Sequence, residues 1–173
     1  AMRGNRWVHS PGSVAVSRIG ADRYALLVCN NYANHVSRHV LDASGELAVA
    51  SDEMLLSRGL DVPDGVTVSR DDRWIAVSSH NTHAVLVYDH SQPLDYRSEP
   101  SGILDKVNSP HGVRFTADGE FAIVADAGAP FLHVYARNGG SWAGTREPVA
   151  WFRVVDGATL PPGRHNPQRG GAK

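Results

Sequence analysis

The chain has 173 residues, of which 42% are hydrophobic and 20% charged, and its formal net charge is -1 at pH 7. This composition is ordinary for a globular domain with a hydrophobic core, and the near-zero charge creates no field that would attract nucleic acid or an anionic membrane. No apolar run approaches the roughly 18 residues of a membrane span. From the charge and the missing span together, we expect no nucleic-acid partner and no membrane partner. The single cysteine, Cys29, excludes an internal disulfide and slightly favours the cytoplasm.

Three stretches of the sequence begin with proline and read alike. They cover residues 11–16, 63–68 and 110–115, so that their prolines are 52 and then 47 residues apart. Each stretch is followed by a polar turn and then by an aromatic residue that opens a hydrophobic run. A repeat of this size built from short strands is typical of a β-propeller blade.

Each repeat predicts four short antiparallel strands. The nearly continuous apolar run of the second strand indicates burial on both faces, and the Asp-Gly pair at residues 118–119 is a strong hairpin signal. The twelve predicted strands cover residues 13–17, 24–29, 35–41, 46–50, 66–69, 74–78, 84–88, about 102–107, 112–115, 121–125, 131–135 and 149–155. The sequence therefore predicts an all-β fold of three four-stranded antiparallel propeller blades.

The domain organisation follows from these repeats. Residues 1–9 are expected to be an N-terminal extension, partly a tag, and residues 156–173 a flexible tail rich in proline, glycine and basic residues. The blades between them cover about 10–58, 61–107 and 109–155. Propeller rings contain about 4–8 blades, so three blades do not close a ring. Either a second copy of the chain or the rest of a longer propeller is expected to complete it.

One face of the predicted blades is rich in polar side chains. Residues just before a first strand and just after a second strand share this face, which we call the mouth. Asp64 and His111 hold matching positions before a glycine and should line the channel, as either turn caps or contacts to a ligand or metal. Asp126 ends a second strand, as either a turn former or a metal-binding or basic carboxylate.

Further mouth residues also have two interpretations each. His80 and His83 form, with His111, a possible three-nitrogen zinc site, or are simply solvated. Asn30 and Asn31 are turn residues, or amide ligands for a hard cation such as calcium. Asn108 precedes the third repeat and joins the candidates for ligand binding.

Two sets of aligned positions predict packing instead. Cys29 aligns with the small residues Ser78 and Ala125, which indicates a buried core thiol. Tyr24, Trp74 and Phe121 are aligned as well, and we expect them to pack between blades. The sequence contains no glycine-rich phosphate loop and no Gly-x-Ser-x-Gly nucleophile elbow.

The segment 109–126 resembles the blade motif of lactonase-type propellers. These include the seven-bladed 6-phosphogluconolactonase-like family, the six-bladed gluconolactonase-like family and surface-layer repeats with a Tyr-Val-Thr-Asn signature. The resemblance covers about residues 10–155. In the gluconolactonase-like family it implies a divalent cation at the mouth, held by a Glu, an Asn before a first-strand glycine, and an Asp after a second strand. Asp126 matches that Asp, while Asp64 and His111 hold the Asn position. His111 in Pro-His-Gly also matches a common feature of the seven-bladed family.

Two classes of function remain open. The first is a binding or scaffold protein whose mouth presents His, Asp and Asn side chains to a small molecule or peptide. The alternative is a lactonase-like hydrolase acting on a sugar lactone or similar ester with calcium or zinc. In that case a cation on Asp126, Asp64 and His111, or His111 itself, polarises the carbonyl, and Asp126 or Asp64 positions water. Because no convincing Glu completes the catalytic set, binding is favoured.

Overall fold

The computed structural model of the chain describes residues 5–154, together with the backbone of residues 165–166 and 171–172. Most of the expected tag and of the expected flexible tail lies outside these residues. Residue 155, the last of the predicted strand 149–155, lies outside them as well. Within them the chain is all-β, with antiparallel sheets in an open, propeller-like arrangement, as the sequence predicts. The one helix in this part of the chain is a 3-10 turn over Asn31–Ala33.

The first sheet contains four antiparallel strands in chain order. Their bounds are Pro11–Arg18 (β1), Arg23–Asn30 (β2), His35–Asp42 (β3) and Ala48–Leu56 (β4). The fourth strand extends six residues beyond the predicted one, because residues 51–56 continue the pairing with β3.

The second and third sheets repeat this order. The second contains Pro63–Val68 (β5), Trp74–Ser79 (β6), Ala84–Asp89 (β7) and Gly102–Leu104 (β8). The third contains Pro110–Phe115 (β9), Phe121–Asp126 (β10), Phe131–Ala136 (β11) and Ala150–Arg153, which we label β13 because the short strand Gly144–Arg146 (β12) precedes it. A separate two-residue pair joins His165–Asn166 (β14) to Gly171–Ala172 (β15).

The second sheet contains the four predicted antiparallel strands and, in addition, a fifth strand that the sequence did not predict. Strand β12, Gly144–Arg146, leaves the third repeat and pairs in parallel with β8 at the outer edge of the second sheet. Trp142 is fully buried between the second and third sheets, which draws the following residues towards β8. The approach needs glycine at position 102, because a Cβ there would lie 2.0 Å from the Trp142 carbonyl oxygen.

The core lies between neighbouring sheets. One cluster joins the first and second sheets through residues such as Leu27, Val36 and Val66, and a second joins the second and third sheets through Trp74, Val113 and others. Cys29 belongs to the first cluster, which confirms the predicted core thiol, and burial raises the pKa of that thiol.

The strand registers show which positions are equivalent. Val14 pairs with Val28, Val66 with Val77, and Val113 with Val124. Counting back from these pairs aligns Ala25, and not Tyr24, with Trp74 and Phe121. The predicted alignment of Tyr24 was wrong because the first hairpin is longer than the other two. The described residues contain no helix that is long and apolar enough to cross a membrane.

Candidate functional site

Two prolines start the inner strands β5 and β9 and place Asp64 and His111 at the mouth. The two strands approach closely, since a Cβ on Gly65 would lie 2.1 Å from the carbonyl oxygen of His111. Ser78 holds this junction together: its hydroxyl accepts a hydrogen bond from the Gly65 amide at 2.6 Å and donates one to the His111 carbonyl. His80 follows directly after β6 and reaches the same point.

Asp64, His80 and His111 form a compact group, the Asp64–His80–His111 cluster. The Oδ2 atom of Asp64 lies 3.1 Å from Nε2 of His111 and 3.8 Å from Nδ1 of His80. The two imidazole rings have centroids 4.9 Å apart and planes inclined by 55°. Ligand atoms of all three side chains lie within 4.8 Å of one another, which is close enough to hold a metal ion.

Two nitrogen atoms in this cluster lack hydrogen bonds. Nδ1 of His80 and Nε2 of His111 are both buried and have no hydrogen-bond partner, although both face the Asp64 carboxylate. The His80 side chain is only 6% exposed. An unsatisfied buried polar atom costs about 1–3 kcal/mol, so two of them beside one carboxylate need an explanation. Imidazole nitrogens that converge on a carboxylate oxygen are the arrangement found around a bound cation.

The electrostatics of the cluster favour neutral imidazole at His80. Burial, and secondly the neighbouring His111, lower the pKa of His80 below its usual value, with Asp64 acting in the opposite direction. Neutral imidazole is the form that coordinates metals. The Nδ2 of Asn31 donates a hydrogen bond to Oδ1 of Asp64, so the other carboxylate oxygen is directed at the imidazoles.

The cluster opens onto a cleft of about 570 Å³. Asp64 and His111 line it, whereas His80 does not. Arg114 also lines the cleft, where its Nη1 donates to the carbonyls of Val66 and Val113 at 3.0 and 2.9 Å. The remaining wall comes from small or apolar residues: Gly12, Ser13, Gly65, Gly112, Val113, Ile123, Ala125 and Leu132.

Asp126, a candidate for catalysis and for metal binding, lies outside the cluster. Its carboxylate accepts hydrogen bonds from the backbone amides of Asn108, Ser109 and Gly128 at 2.8–2.9 Å, and from Nε2 of His133 at 3.2 Å. The side chain is 1% exposed. Both oxygens are therefore engaged within the protein, and a catalytic role for Asp126 stays a prediction.

Equivalent residues in the other sheets act in the same way as Asp126. Asn30 is fully buried, and its Oδ1 accepts from the His9 amide at 2.7 Å. Ser79 Oγ accepts from the Asp61 amide at 2.9 Å. In each sheet the last residue of the second strand thus holds the segment that precedes the first strand. This shared structural role was not evident from the sequence, because the three residue types differ.

The remaining predicted ligands lie nearby without joining the cluster. Nδ1 of His83 donates to the carbonyl of Asn108, and Nδ2 of Asn108 donates to the Gly128 carbonyl at 3.1 Å. The predicted zinc site consisted of His80, His83 and His111. In the structure the third member of the cluster is Asp64 and not His83. Arg114 was not singled out from the sequence; its only signal was a charged residue at a strand position that holds Ala15 and Thr67 in the other repeats.

Comparisons with known proteins show the fold alone. A scan against protein-family models finds no match, and neither does a search of curated proteins. Among solved structures, a functionally unknown protein from Desulfotomaculum acetoxidans DSM 771 matches with a TM-score of 0.63 and 20% identity, over 85% of this chain and 44% of that one. Hydrazine synthase from Kuenenia stuttgartiensis matches with a TM-score of 0.57 and 19% identity, over 90% and 40%.

A third match is a putative 6-phosphogluconolactonase from Bacteroides fragilis NCTC 9343, with a TM-score of 0.56 and 12% identity, over 75% of this chain and 36% of that one. The chain therefore spans less than half the length of each of these structures.

Proposed function

We propose that this chain binds a divalent transition-metal ion at its mouth and uses that ion to hold a small oxygen-bearing ligand. The observation that carries the proposal is the pair of buried, unsatisfied imidazole nitrogens of His80 and His111 beside Oδ2 of Asp64. A cation held between them would satisfy both nitrogens and neutralise the carboxylate at once.

The donor atoms favour zinc over calcium. Calcium takes about 6–8 oxygen ligands, whereas this cluster offers two nitrogens and one carboxylate. Zinc bonds of about 2.0–2.2 Å in a tetrahedral arrangement place donor atoms about 3.3 Å apart. The observed separations of 3.1 and 3.8 Å lie on either side of that value. Asn31 would then act on the metal indirectly, by fixing the orientation of the Asp64 carboxylate.

Three protein ligands leave a fourth position on a zinc ion, and the cleft indicates where it faces. Because Asp64 and His111 line the cleft and His80 lies behind them, the open position faces the 570 Å³ space. That volume suits a sugar-sized molecule or a short peptide segment. Arg114 on the same wall adds a positive charge beside the ligand.

A second candidate function is hydrolysis of a sugar lactone or similar ester. It is favoured by the open side of the cluster, and one of the matched structures is named as a putative 6-phosphogluconolactonase. A bound zinc ion would supply Lewis-acid polarisation and a lowered pKa for bound water. Against it, the only titratable residues among those lining the described cleft are Asp64, His111 and Arg114, so no carboxylate outside the cluster is available as a base. Binding is therefore the leading function.

Zinc binding can be tested by thermal unfolding and by calorimetric titration with zinc and with calcium. At a zinc concentration about 100-fold above its Kd, the free energy of unfolding should rise by about 2.7 kcal/mol. For a chain of this size that corresponds to a rise in Tm of roughly 5–10 °C. His80→Ala and His111→Ala should abolish the shift, and calcium should produce little.

His83→Ala is the matched control, because His83 is a neighbouring loop histidine outside the cluster. A zinc shift that is unchanged in His80→Ala, or absent from the wild type, would refute the metal site. Assaying the zinc-loaded chain with sugar lactones separates the two functions: turnover that is lost in His111→Ala would favour hydrolysis, and its absence would leave binding.

A further inference from the structure

The outer face of the third sheet exposes residues whose equivalents are buried. This face, the third-sheet flank, consists of Phe121, Ile123, Leu132 and Val134. Phe121 and Ile123 are 40% and 38% exposed, whereas their equivalents in the second sheet, Trp74 and Ala76, are 1% and 0% exposed. The second-sheet residues are covered because the third sheet packs on them. The third-sheet flank has the same apolar character and no sheet to cover it among the described residues.

The opposite face of the first sheet shows the complementary pattern. This first-sheet flank consists of Val14, Val16 and Leu26. Val14 is 51% exposed, while its equivalents Val66 and Val113 are each 0% exposed, packed against the preceding sheet. The chain therefore carries, at its two ends, the two halves of the contact that it makes twice internally.

We infer that a second copy of this chain covers both flanks, so that the third-sheet flank of each copy packs on the first-sheet flank of the other. Two copies related by a two-fold axis give six sheets, within the range of about 4–8 seen in closed propeller rings. The contact requires no new chemistry, since Ile123 and Val14 hold the positions of Ala76 and Val113, which share one buried cluster within the chain. Exposed apolar patches at both ends are otherwise unfavourable in water.

The lengths of the matched structures agree with this assembly. The chain aligns with 44% and 40% of two of them, so that two copies would cover most of the length of each. Closure would also complete the cleft. Ile123 and Leu132 of the third-sheet flank already line it, and the first sheet of the partner copy would provide the missing wall beside them. This inference does not depend on the metal.

The test is the solution mass of the chain, measured by light scattering during size-exclusion chromatography. We expect twice the 18.6 kDa of one chain. In a ring made of two copies of one variant, Val14→Asp or Ile123→Lys, the introduced charge lies at both contacts. Either variant should therefore weaken self-association by more than about 100-fold and give single chains. Tyr96→Asp is the control, because Tyr96 is 44% exposed in a loop outside both flanks and should leave the mass unchanged.

Mixing the two flank variants tests the predicted arrangement of the contact. A mixture of Val14→Asp and Ile123→Lys contains one unaltered contact and one in which Asp faces Lys, so the two-chain species should return. Circular dichroism should show that each variant keeps its β structure. A wild-type chain that stays at a single-chain mass at high concentration, or a mixture that does not reassociate, would overturn the inference and point to the rest of a longer protein as the cover.

Discussion

Two junctions between sheets at the mouth are built from equivalent positions but differ in their hydrogen bonding. In each, the residue after the second strand of one sheet meets the residue after the starting proline of the next. Between the first and second sheets, Asn31 donates a hydrogen bond to Asp64, and the contact is satisfied. Between the second and third sheets, His80 meets His111 with a nitrogen of each left unsatisfied. The same backbone geometry thus carries a satisfied hydrogen bond in one place and two unsatisfied imidazole nitrogens, which we propose as metal ligands, in the other.

The same contrast separates two carboxylates at the mouth, the half-buried Asp64 and the buried Asp126. Asp126 accepts three backbone hydrogen bonds and one from His133, so its charge is balanced within the chain. Asp64 has one oxygen held by Asn31 and the other directed at two imidazoles without hydrogen bonds. Hydrogen-bond satisfaction, and not residue type, distinguishes these two carboxylates.

The largest effect is expected from removing the satisfied carboxylate. Asp126→Ala leaves three backbone amides and His133 without their acceptor, and should lower the free energy of unfolding by about 3–5 kcal/mol. Urea denaturation measures it. Asp118→Ala is the control, because Asp118 also accepts hydrogen bonds but lies in an exposed turn, so its loss should cost under about 1 kcal/mol. Equal losses in the two variants would contradict the contrast.

A smaller effect of opposite sign distinguishes the two junctions. In metal-free protein, His80→Leu removes a buried unsatisfied nitrogen and should leave the free energy of unfolding unchanged or raise it by about 1 kcal/mol. Asn31→Ala at the equivalent position breaks a satisfied contact and should lower that free energy by about 1 kcal/mol. If His80→Leu proved the more destabilising of the two, the imidazole would have a structural role after all.

The smallest effect is a dependence on pH. Because burial lowers the pKa of His80, the unfolded chain binds more protons than the folded one just below the usual histidine value of about 6.5. The metal-free protein should therefore lose stability as the pH falls from about 7.5 through 6.5 and below. His39, whose pKa is also lowered by burial, contributes to the same slope. Denaturation at several pH values should show a shallower slope in His80→Leu; an identical slope would assign the effect to His39 alone.

The sequence was sufficient for the features that depend on local signals. Proline at strand starts, apolar second strands and polar turns predicted the all-β fold and the position of Asp64 and His111 at one mouth. Tyr24 was misaligned because hairpin length is not visible in the motif. The parallel strand at residues 144–146 depends on the burial of Trp142, which is a contact between distant segments.

The composition of the site was harder to predict for the same reason. His80, Asp64 and Asp126 are all plausible ligands by residue type. What separates them is which hydrogen-bond donors reach each side chain, and those donors belong to segments about 20 residues away or in a neighbouring sheet.

The close approach at Gly65 has a mechanical consequence. Asp64 and His80 belong to the second sheet and His111 to the third, and the backbones of these sheets touch where Gly65 meets the His111 carbonyl. An ion coordinated by all three residues would cross-link the second sheet to the third. Its occupancy would then depend on how closely the two sheets pack, because separation of the sheets would move the donor atoms away from one another.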